Sequence, residues 1–454
     1  MSEHQIDIVV LGSGPAGSTV ATKLVKRGYS VAMIETREFG GTCALRGCNP
    51  KKVYVNAAEI IDRARRSEGK LIVGSDGVKI DWAKLLQFKR EFTQPVVEKT
   101  EKSYRSSGIQ TFQGTPSFDS PTSIVVGSER IVGKKFIIAT GATPAPVGIP
   151  GAEHITTSDD FLELSNLPER VVFIGGGYIS MEFAHVAARC GTHVTIVDRN
   201  ERVLSGFDPD LIDLLTQYSE KRGIHFRLGV SPTSIVDASG NGSDHRYRIE
   251  MDKGPALDAG LVVHGAGRVP NVQGLELSRA AISFSDQGVS VNDAFRSVSN
   301  ENVYAIGDCA ATGKPRLTPT ANEEARIVVK NLLEPGEAHR ADYGAIPKVA
   351  FTTPSIAAVG MSEEDARKSH DVDVRADDMS SWGSVRKTGG TAAGYKILVD
   401  RDNDRVLGAH LLGPSAEETI NLFALAMKFG LTATDIKSTL FAFPTSASDV
   451  RSML

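Results

Sequence analysis

The sequence predicts an α/β protein: two similar strand–turn–helix–strand units, one at the N-terminus and one in the middle, followed by an α+β region. Residues 6–35 read IDIVVLGSGPAGSTVATKLVKRGYSVAMIE, and residues 170–199 read RVVFIGGGYISMEFAHVAARCGTHVTIVDR. After residue 340 the pattern changes to short strand-like runs and one amphipathic helix. In the first unit an apolar strand, Ile6 to Leu11, enters Gly12-x-Gly14-x-x-Gly17; a helical pattern follows, and Ser30 to Ile34 form a second strand ending at Glu35. Gly12 permits the turn, Gly14 lets backbone approach a pyrophosphate, and Gly17 allows close helix–strand packing. The helix N-terminus favours phosphate charge, and Glu35 offers a carboxylate to ribose hydroxyls. Glycine-rich turns alone are common, but this order of strand, turn, helix, strand and acid marks Rossmann-like dinucleotide binding.

The second unit repeats the order. Gly175 and Gly177 follow a strand, Ser180 takes the third small position, and Asp198-Arg199 follow the next strand. Two such units predict two different dinucleotides, with an electron donor and an electron acceptor as the natural pairing. The plainer alternative is a second unit that serves only as a structural layer. Beyond residue 345, VAFTT, YKILVD and RVLGAHLLG read as strands and EETINLFALAMKFG as a helix, an α+β pattern unlike the first two units.

At 454 residues the chain is long enough for two to four domains. A net charge of −4 with well-mixed signs points to neither nucleic acid nor an anionic membrane surface. No apolar run approaches the ~18 residues of a membrane span. The opening MSEHQIDIVV has no basic segment before its apolar stretch, unlike a signal peptide. With 4 cysteines, the expectation is a reducing cytoplasm.

Two of those cysteines, Cys43 and Cys48, share the stretch GGTCALRGCNPKK. A zinc site would need two further ligands at similar spacing, whereas Cys190 and Cys309 stand alone; no metal is expected. A structural staple fits poorly with a reducing compartment. A redox pair demands irregular backbone, because five helical steps rise roughly 7.5 Å and a disulfide wants Cα atoms about 4.4–6.8 Å apart. Gly40, Gly41 and Gly47 can supply that irregularity. Whether the pair is redox-active depends on its surroundings.

Taken together, these motifs resemble the FAD-dependent pyridine nucleotide–disulfide oxidoreductases, which include glutathione reductase, dihydrolipoamide dehydrogenase and mercuric reductase. The resemblance runs through the Gly12 unit, GGTCALRGCNPKK, ATGATP from Ala139, the second nucleotide unit, GAGRVPN from Gly265, YAIGDCA from Tyr304 and FTTPSIAAVGMSEEDA from Phe351. It implies FAD binding by residues 1–145 with 270–340, NAD(P)H binding by 146–269, and a homodimer interface domain at 341–454. It implies that Cys43 and Cys48 form a redox disulfide, with Cys48 facing the flavin and Cys43 attacking an external small disulfide. Lys51 matches the lysine near the flavin and Glu182 its partner. The same resemblance puts Thr42, Thr140, Gly141, Gly267 and Asp308 among the cofactor contacts. Asp308 falls at the flavin's ribityl chain, a role compatible with capping the following helix.

For the nicotinamide cofactor the signals oppose each other. Asp198 matches an acid that binds the ribose of NADH and repels a 2′-phosphate. Arg199 matches one of two phosphate-binding arginines of NADPH enzymes, the second being replaced by Ser205. Tyr178, in the place of a tyrosine that covers the nicotinamide pocket, and Ser180 resemble the NADPH members and tip the expectation to NADPH over NADH.

The sequence departs from the family at its end. Phe443 stands where the family carries the histidine that serves the partner's interchange thiol, and Ser448, beside Asp449, stands for its glutamate; Pro444-Thr445 keep the register. Phenylalanine carries no proton. Cys43 is therefore expected near the free thiol value of ~8.5, with the ~10²–10⁴-fold cost of losing a proton shuttle. The resemblance includes one member with phenylalanine here, 2-ketopropyl-coenzyme M carboxylase, which makes reductive thioether cleavage an alternative. An NAD(P)H-dependent quinone or metal reductase and a non-catalytic flavin-binding protein are further alternatives. Arg326 matches a glutathione-contacting arginine, but the second such position is Thr22. No cysteine follows Cys309, which disfavours mercuric reductase and large thioredoxin reductase activities.

Overall fold

The computed structural model describes residues 2–239 and 246–454. They form two compact units: Met1–Lys51, Gln87–Ala145 and Arg268–Tyr343 make the first, and Lys52–Leu86, Pro146–Gly267 and Gly344–Leu454 the second.

The first unit is organised by a seven-stranded sheet. Its order is Gln110–Gln113, Val31–Glu35, Ser2–Leu11, Glu129–Ile138, Ser123–Val126 and Pro116–Ser120, with Val303–Ala305 also against Glu129–Ile138. The strands around Ser2–Leu11 run parallel, and Leu11 is in register with both Ile34 and Ile138. Ala305 also pairs with Ile138. Four strands thus end level, and the turns beginning at Gly12, Glu35, Ala139 and Ile306 all leave one carboxyl edge. Val9, Val10 and Leu11 are fully buried, as expected for a parallel strand covered on both faces. The helix Pro15–Val25 starts with Pro at its first turn and buries Val20, Ala21 and Leu24, each worth up to ~3 kcal/mol for the larger side chains.

The second unit holds a four-stranded parallel sheet ordered Ile224–Leu228, His193–Asp198, Arg170–Ile174 and Leu261–His264. It also holds a three-stranded antiparallel sheet, Pro232–Asp237, Tyr247–Met251 and Leu257–Ala259, and a five-stranded antiparallel sheet covering Lys348 to Leu412. The runs read as YKILVD and RVLGAHLLG become the central strands Gly394–Asp400 and Val406–Leu412, and the expected helix is Ala416–Lys428. The run VAFTT is shorter than expected: its strand is Lys348–Ala350, and a cis Thr353–Pro354 bond follows. Among the described residues no helix is long and apolar enough to cross a membrane.

One helix of this unit, Tyr178–Arg189, is buried on nearly every side and carries charge inside. Arg189 Nη2 lies 2.8 Å from Asp62 Oδ1, which Arg66 shares through Oδ2 at 2.7 Å. The His185 ring accepts from Thr353 N at Nδ1 (3.3 Å), faces Arg189 Nη1 at 3.2 Å, and meets Ser219 Oγ through Nε2 at 3.1 Å. A second ring proton would point at two donors, so burial and then Arg189 hold His185 well below the usual 6.5. The unfolded chain takes up this proton first as pH falls. Stability should therefore drop below pH 6.5, by about 1.4 kcal/mol per pH unit from this group. Thermal melts of wild type and His185→Gln between neutral pH and about pH 5 test this, with a shallower slope expected in the variant. The comparison isolates the histidine, since burial raises Glu324 to about 7 and its contribution has the opposite sign.

Candidate active site

The carboxyl edge of the first sheet carries the glycine turn. A Cβ on Gly12 (φ +100°) would stand 2.4 Å from Ala139 O, and one on Gly17 would stand 2.0 Å from Gly12 O. These two glycines are required by the protein's own packing. Gly14 is different: its φ of −64° suits any residue, and a Cβ there would meet nothing within 4 Å. Gly177 repeats this in the second unit, with φ −74° and only Gly265 O at 3.6 Å. Both glycines precede helices whose first turns have no side-chain cap. Their N–H groups, with open space before them, make a cradle for an anion.

Each cradle is latched to its acid. Glu35 Oε2 accepts from Ser13 N at 2.9 Å and Ser13 Oγ at 2.7 Å, while Oε1 accepts from Thr36 N and Arg37 N at 2.9 and 3.2 Å. Asp198 accepts from Gly176 N through Oδ2 and from Asn200 N at 2.7 Å through Oδ1. Beside it Arg199 is exposed and Tyr178 is 46 % exposed. Ser180 is buried where a Cβ on Gly265 would meet its Oγ, so the third small position and Gly265 must both stay small.

The cysteine segment is fastened to the first cradle. Gly40 N donates to Ser13 Oγ at 2.9 Å, and a Cβ on Gly41 would stand 2.4 Å from Gly14 Cα. Gly40 and Gly41 adopt φ of +131° and +72°, which opens the short helix Gly41–Leu45; it stops at Arg46 and a new helix begins at Cys48. This break lets the sulfurs meet. The two side chains are in contact, with Cys43 hydrogen-bonded to Cys48. Thr318, at the start of the helix Thr318–Leu333, donates to Cys43 Sγ at 3.4 Å, and its Oγ1 lies 3.8 Å from Cys48 Sγ.

The expectation of a near-ordinary Cys43 thiol is corrected by this environment. The hydrogen bond with Cys48, then burial, push Cys43 well above the ordinary thiol range, and Thr318 opposes them. Motif reading also missed Thr318, which lies 275 residues from Cys43. LTP before a helical pattern was the available signal, a hydroxyl and a proline at a helix start.

On the same edge, Thr140 precedes Gly141 (φ +69°), and Asp308 sits in the short turn Gly307–Cys309. Burial raises the Asp308 carboxyl, with Arg268 and Arg316 opposing. Behind this turn Glu324 accepts from Gly307 N at 2.6 Å and from Tyr343 OH at 2.9 Å. Thr42 is exposed beside Cys43 and Lys51 is buried. Arg326 is already held in a fork by Glu323, at 2.7 and 2.8 Å, so a substrate carboxylate would have to displace Glu323.

In the second unit Glu182 is buried, accepts from Phe351 N at 3.1 Å and lies 3.5 Å from Lys52 Nζ. Lys52 sits 2.8 Å over the Phe351 ring. Gly267 (φ +104°) is exposed. Phe443 is 88 % exposed and joined to Pro444 by a cis bond. Ser448 closes a local turn, donating to Thr445 O at 2.6 Å. Burial raises its neighbour Asp449.

The residues present fit a dinucleotide in each unit, because each open cradle lies between a helix start and a latched acid. Comparison with known proteins shows the family. Residues 6–325 match the pyridine nucleotide-disulphide oxidoreductase family, and residues 346–454 match the family's dimerisation domain. The chain is 30% identical to a glutathione reductase of Burkholderia cepacia, over 99% of this chain and 98% of that one. It is 32% identical to a dihydrolipoamide dehydrogenase of Chaetomium thermophilum, over 98% and 90% of the two chains. Among solved structures, the Cu(II) complex of the HOCl-induced flavoprotein disulfide reductase RclA from Escherichia coli superposes with a TM-score of 0.89 at 27% identity, covering 99% of each chain. The chain belongs to the pyridine nucleotide-disulphide oxidoreductases and is an FAD enzyme working with NAD(P)H.

Proposed function

We propose that this enzyme reduces a small disulfide through Cys43 and Cys48, drawing electrons from NAD(P)H. The observation that carries the reading is the pair of adjacent thiols, fastened to the Gly14 cradle and bridged by one hydroxyl. Bound FAD would take a hydride from the nicotinamide and pass the electron pair to the oxidised cysteine pair. Gly12, Gly14, Gly17, Glu35, Thr42, Thr140, Gly141 and Asp308 would hold it. Gly175, Gly177, Tyr178, Ser180, Asp198, Arg199 and Gly267 would hold the nicotinamide dinucleotide. The exposed Arg199 offers a guanidinium to a 2′-phosphate, which supports NADPH. Lys51 would place positive charge near the flavin, and Arg326 would meet a carboxylate of the substrate.

Cys43, as thiolate, would attack the external disulfide, forming a mixed disulfide and releasing one thiolate. Cys48 would then attack Cys43 Sγ, releasing the second and re-forming the internal disulfide. Thiol chemistry of this kind suits a reducing, cytoplasmic setting. A homodimer is supported by the dimerisation-domain match and by large apolar side chains left exposed in the second unit, Phe429, Leu440 and Phe443 at 70 %, 88 % and 88 %. In that dimer Phe443 would exclude water without moving a proton.

Phe443 also motivates a second reading, reductive thioether cleavage in which a carbanion escapes protonation. Anaerobic titration with NADPH and then NADH, followed by a panel of low-molecular-weight disulfides, separates the two. Under the main reading a long-wavelength absorbance band forms on reduction, preferentially with NADPH, and one disulfide discharges it. A band that no disulfide discharges rules out the main reading and leaves thioethers to be tried. Turnover of quinones or metal ions undiminished in a Cys43→Ser/Cys48→Ser double variant would place the physiological acceptor outside thiol chemistry.

A further inference from the structure

Thr318 Oγ1 stands where two sulfurs can share it, 3.4 Å from Cys43 Sγ and 3.8 Å from Cys48 Sγ. A hydroxyl has one proton to donate and two lone pairs that accept, so it can take a proton from one sulfur while giving its own to the other. Its place is fixed by backbone. Leu317 is extended, Pro319 occupies the first turn of the helix Thr318–Leu333, and Ala321 N already bonds Leu317 O at 3.0 Å. The influences on the Cys43 thiol are Cys48, burial, Thr318 and the Cys48 backbone N–H. Of these, Thr318 and that N–H favour the thiolate. At position 443, where a histidine would be the ordinary proton carrier, this chain has a phenylalanine.

We propose that Thr318 is a catalytic residue whose hydroxyl relays a proton between Cys43 and Cys48 and then donates its hydrogen bond to the Cys43 sulfur, so that the attacking thiolate is favoured on Cys43 at the expense of Cys48. The proposal rests on the disulfide-reductase reading for its purpose, but the proton transfer itself needs only the reduced pair. In the singly deprotonated pair, the Cys43 S–H bond breaks as its proton passes to Thr318 Oγ1. The original Thr318 O–H bond breaks as that proton forms an S–H bond on Cys48. Charge moves from Cys48 Sγ to Cys43 Sγ, no electrons change hands and no proton leaves the site. After Cys43 has attacked, the first thiolate released can take the proton from Cys48, which frees Cys48 to resolve the mixed disulfide.

The test measures the sulfurs directly. Holoenzyme reduced with NAD(P)H is alkylated with iodoacetamide across a pH series, and the Cys43 peptide is quantified by mass spectrometry. Thr318→Val, which keeps the shape and removes the hydroxyl, is expected to slow Cys43 alkylation at neutral pH by ~10–100-fold and move its midpoint up by about one to two pH units. Thr318→Ser, which keeps the hydroxyl, is expected to stay within about threefold of wild type. A valine profile that overlays wild type overturns the proposal. So does a serine variant as impaired as valine, which would assign the effect to the methyl group. If the valine variant does not retain flavin, Thr318→Ala against Thr318→Ser carries the same comparison. No disulfide substrate enters this assay. An enzyme with the expected alkylation profiles that turns over no disulfide loses the reductase reading and keeps Thr318, whereas the reverse result loses Thr318 alone.

Discussion

Replacing Cys43 by serine is expected to lower disulfide turnover by more than ~10³-fold while leaving reduction of the bound flavin by NAD(P)H intact. The size follows from the chemistry of exchange. Attack requires a thiolate that becomes one half of a new S–S bond, and a serine oxygen can do neither. Cys48→Ser should be equally dead in steady state, yet it differs in what accumulates. Cys43 would remain free to attack, and the resulting mixed disulfide would have no resolving sulfur. Intact-mass measurement after mixing with a small disulfide should therefore show an adduct on the Cys48→Ser protein and none on Cys43→Ser. Turnover surviving in Cys43→Ser would overturn the assignment of the attacking thiol, and an adduct on Cys43→Ser alone would reverse the two roles.

The second large effect concerns a glycine that the protein's own packing does not need. Gly14 has φ −64° and room for a Cβ with no atom within 4 Å. In such a conformation Gly→Ala stabilises a fold by about 0.4–1 kcal/mol through the unfolded state. The methyl would nevertheless occupy the space in front of the helix N-terminus where a pyrophosphate must come close. Gly14→Ala is expected to raise the melting temperature of the flavin-free protein slightly and to weaken FAD binding by ~100-fold or more, about 2.8 kcal/mol. Gly177→Ala should behave likewise toward the nicotinamide dinucleotide, raising KM while FAD stays bound. Gly12→Ala, with its Cβ 2.4 Å from Ala139 O at φ +100°, should instead destabilise the fold itself. Opposite signs for stability and affinity at position 14 are the decisive feature; a variant that binds FAD normally would show that this cradle serves something else.

What could be read from the sequence follows from how local each feature is. The turns at Gly12 and Gly175, their flanking strands and the acids Glu35 and Asp198 lie within thirty-residue stretches whose chemistry is set by neighbours in the chain. The need for irregular backbone around Cys43 and Cys48 was also legible: Gly40 and Gly41 take positive φ just before Cys43, and the helix breaks at Arg46 (φ −139°) between the two cysteines. The properties of the thiols were not. Cys43 is pushed up by burial and by its contact with Cys48, and burial is a property of the folded unit. Thr318 reaches the sulfurs from a helix at the far end of the first unit's chain, and no spacing rule links them. Arg326 is a different case. Glu323 lies three residues before it on a helix, a pairing distance on any helical surface, so its fork with Glu323 was available to a sequence reading that looked only for a substrate.

The four hydrogen bonds onto Glu35 have a practical consequence. The carboxylate ties Ser13, Thr36 and Arg37 together through the protein's own groups, so the turn is braced by bonds that do not depend on a guest. Ser13 in turn holds Gly40, and so the cysteine segment. An enzyme stripped of its prosthetic group should thus keep a ready socket, and loading it with FAD analogues whose ring systems have chosen potentials would give a graded series of reductases on one unaltered polypeptide.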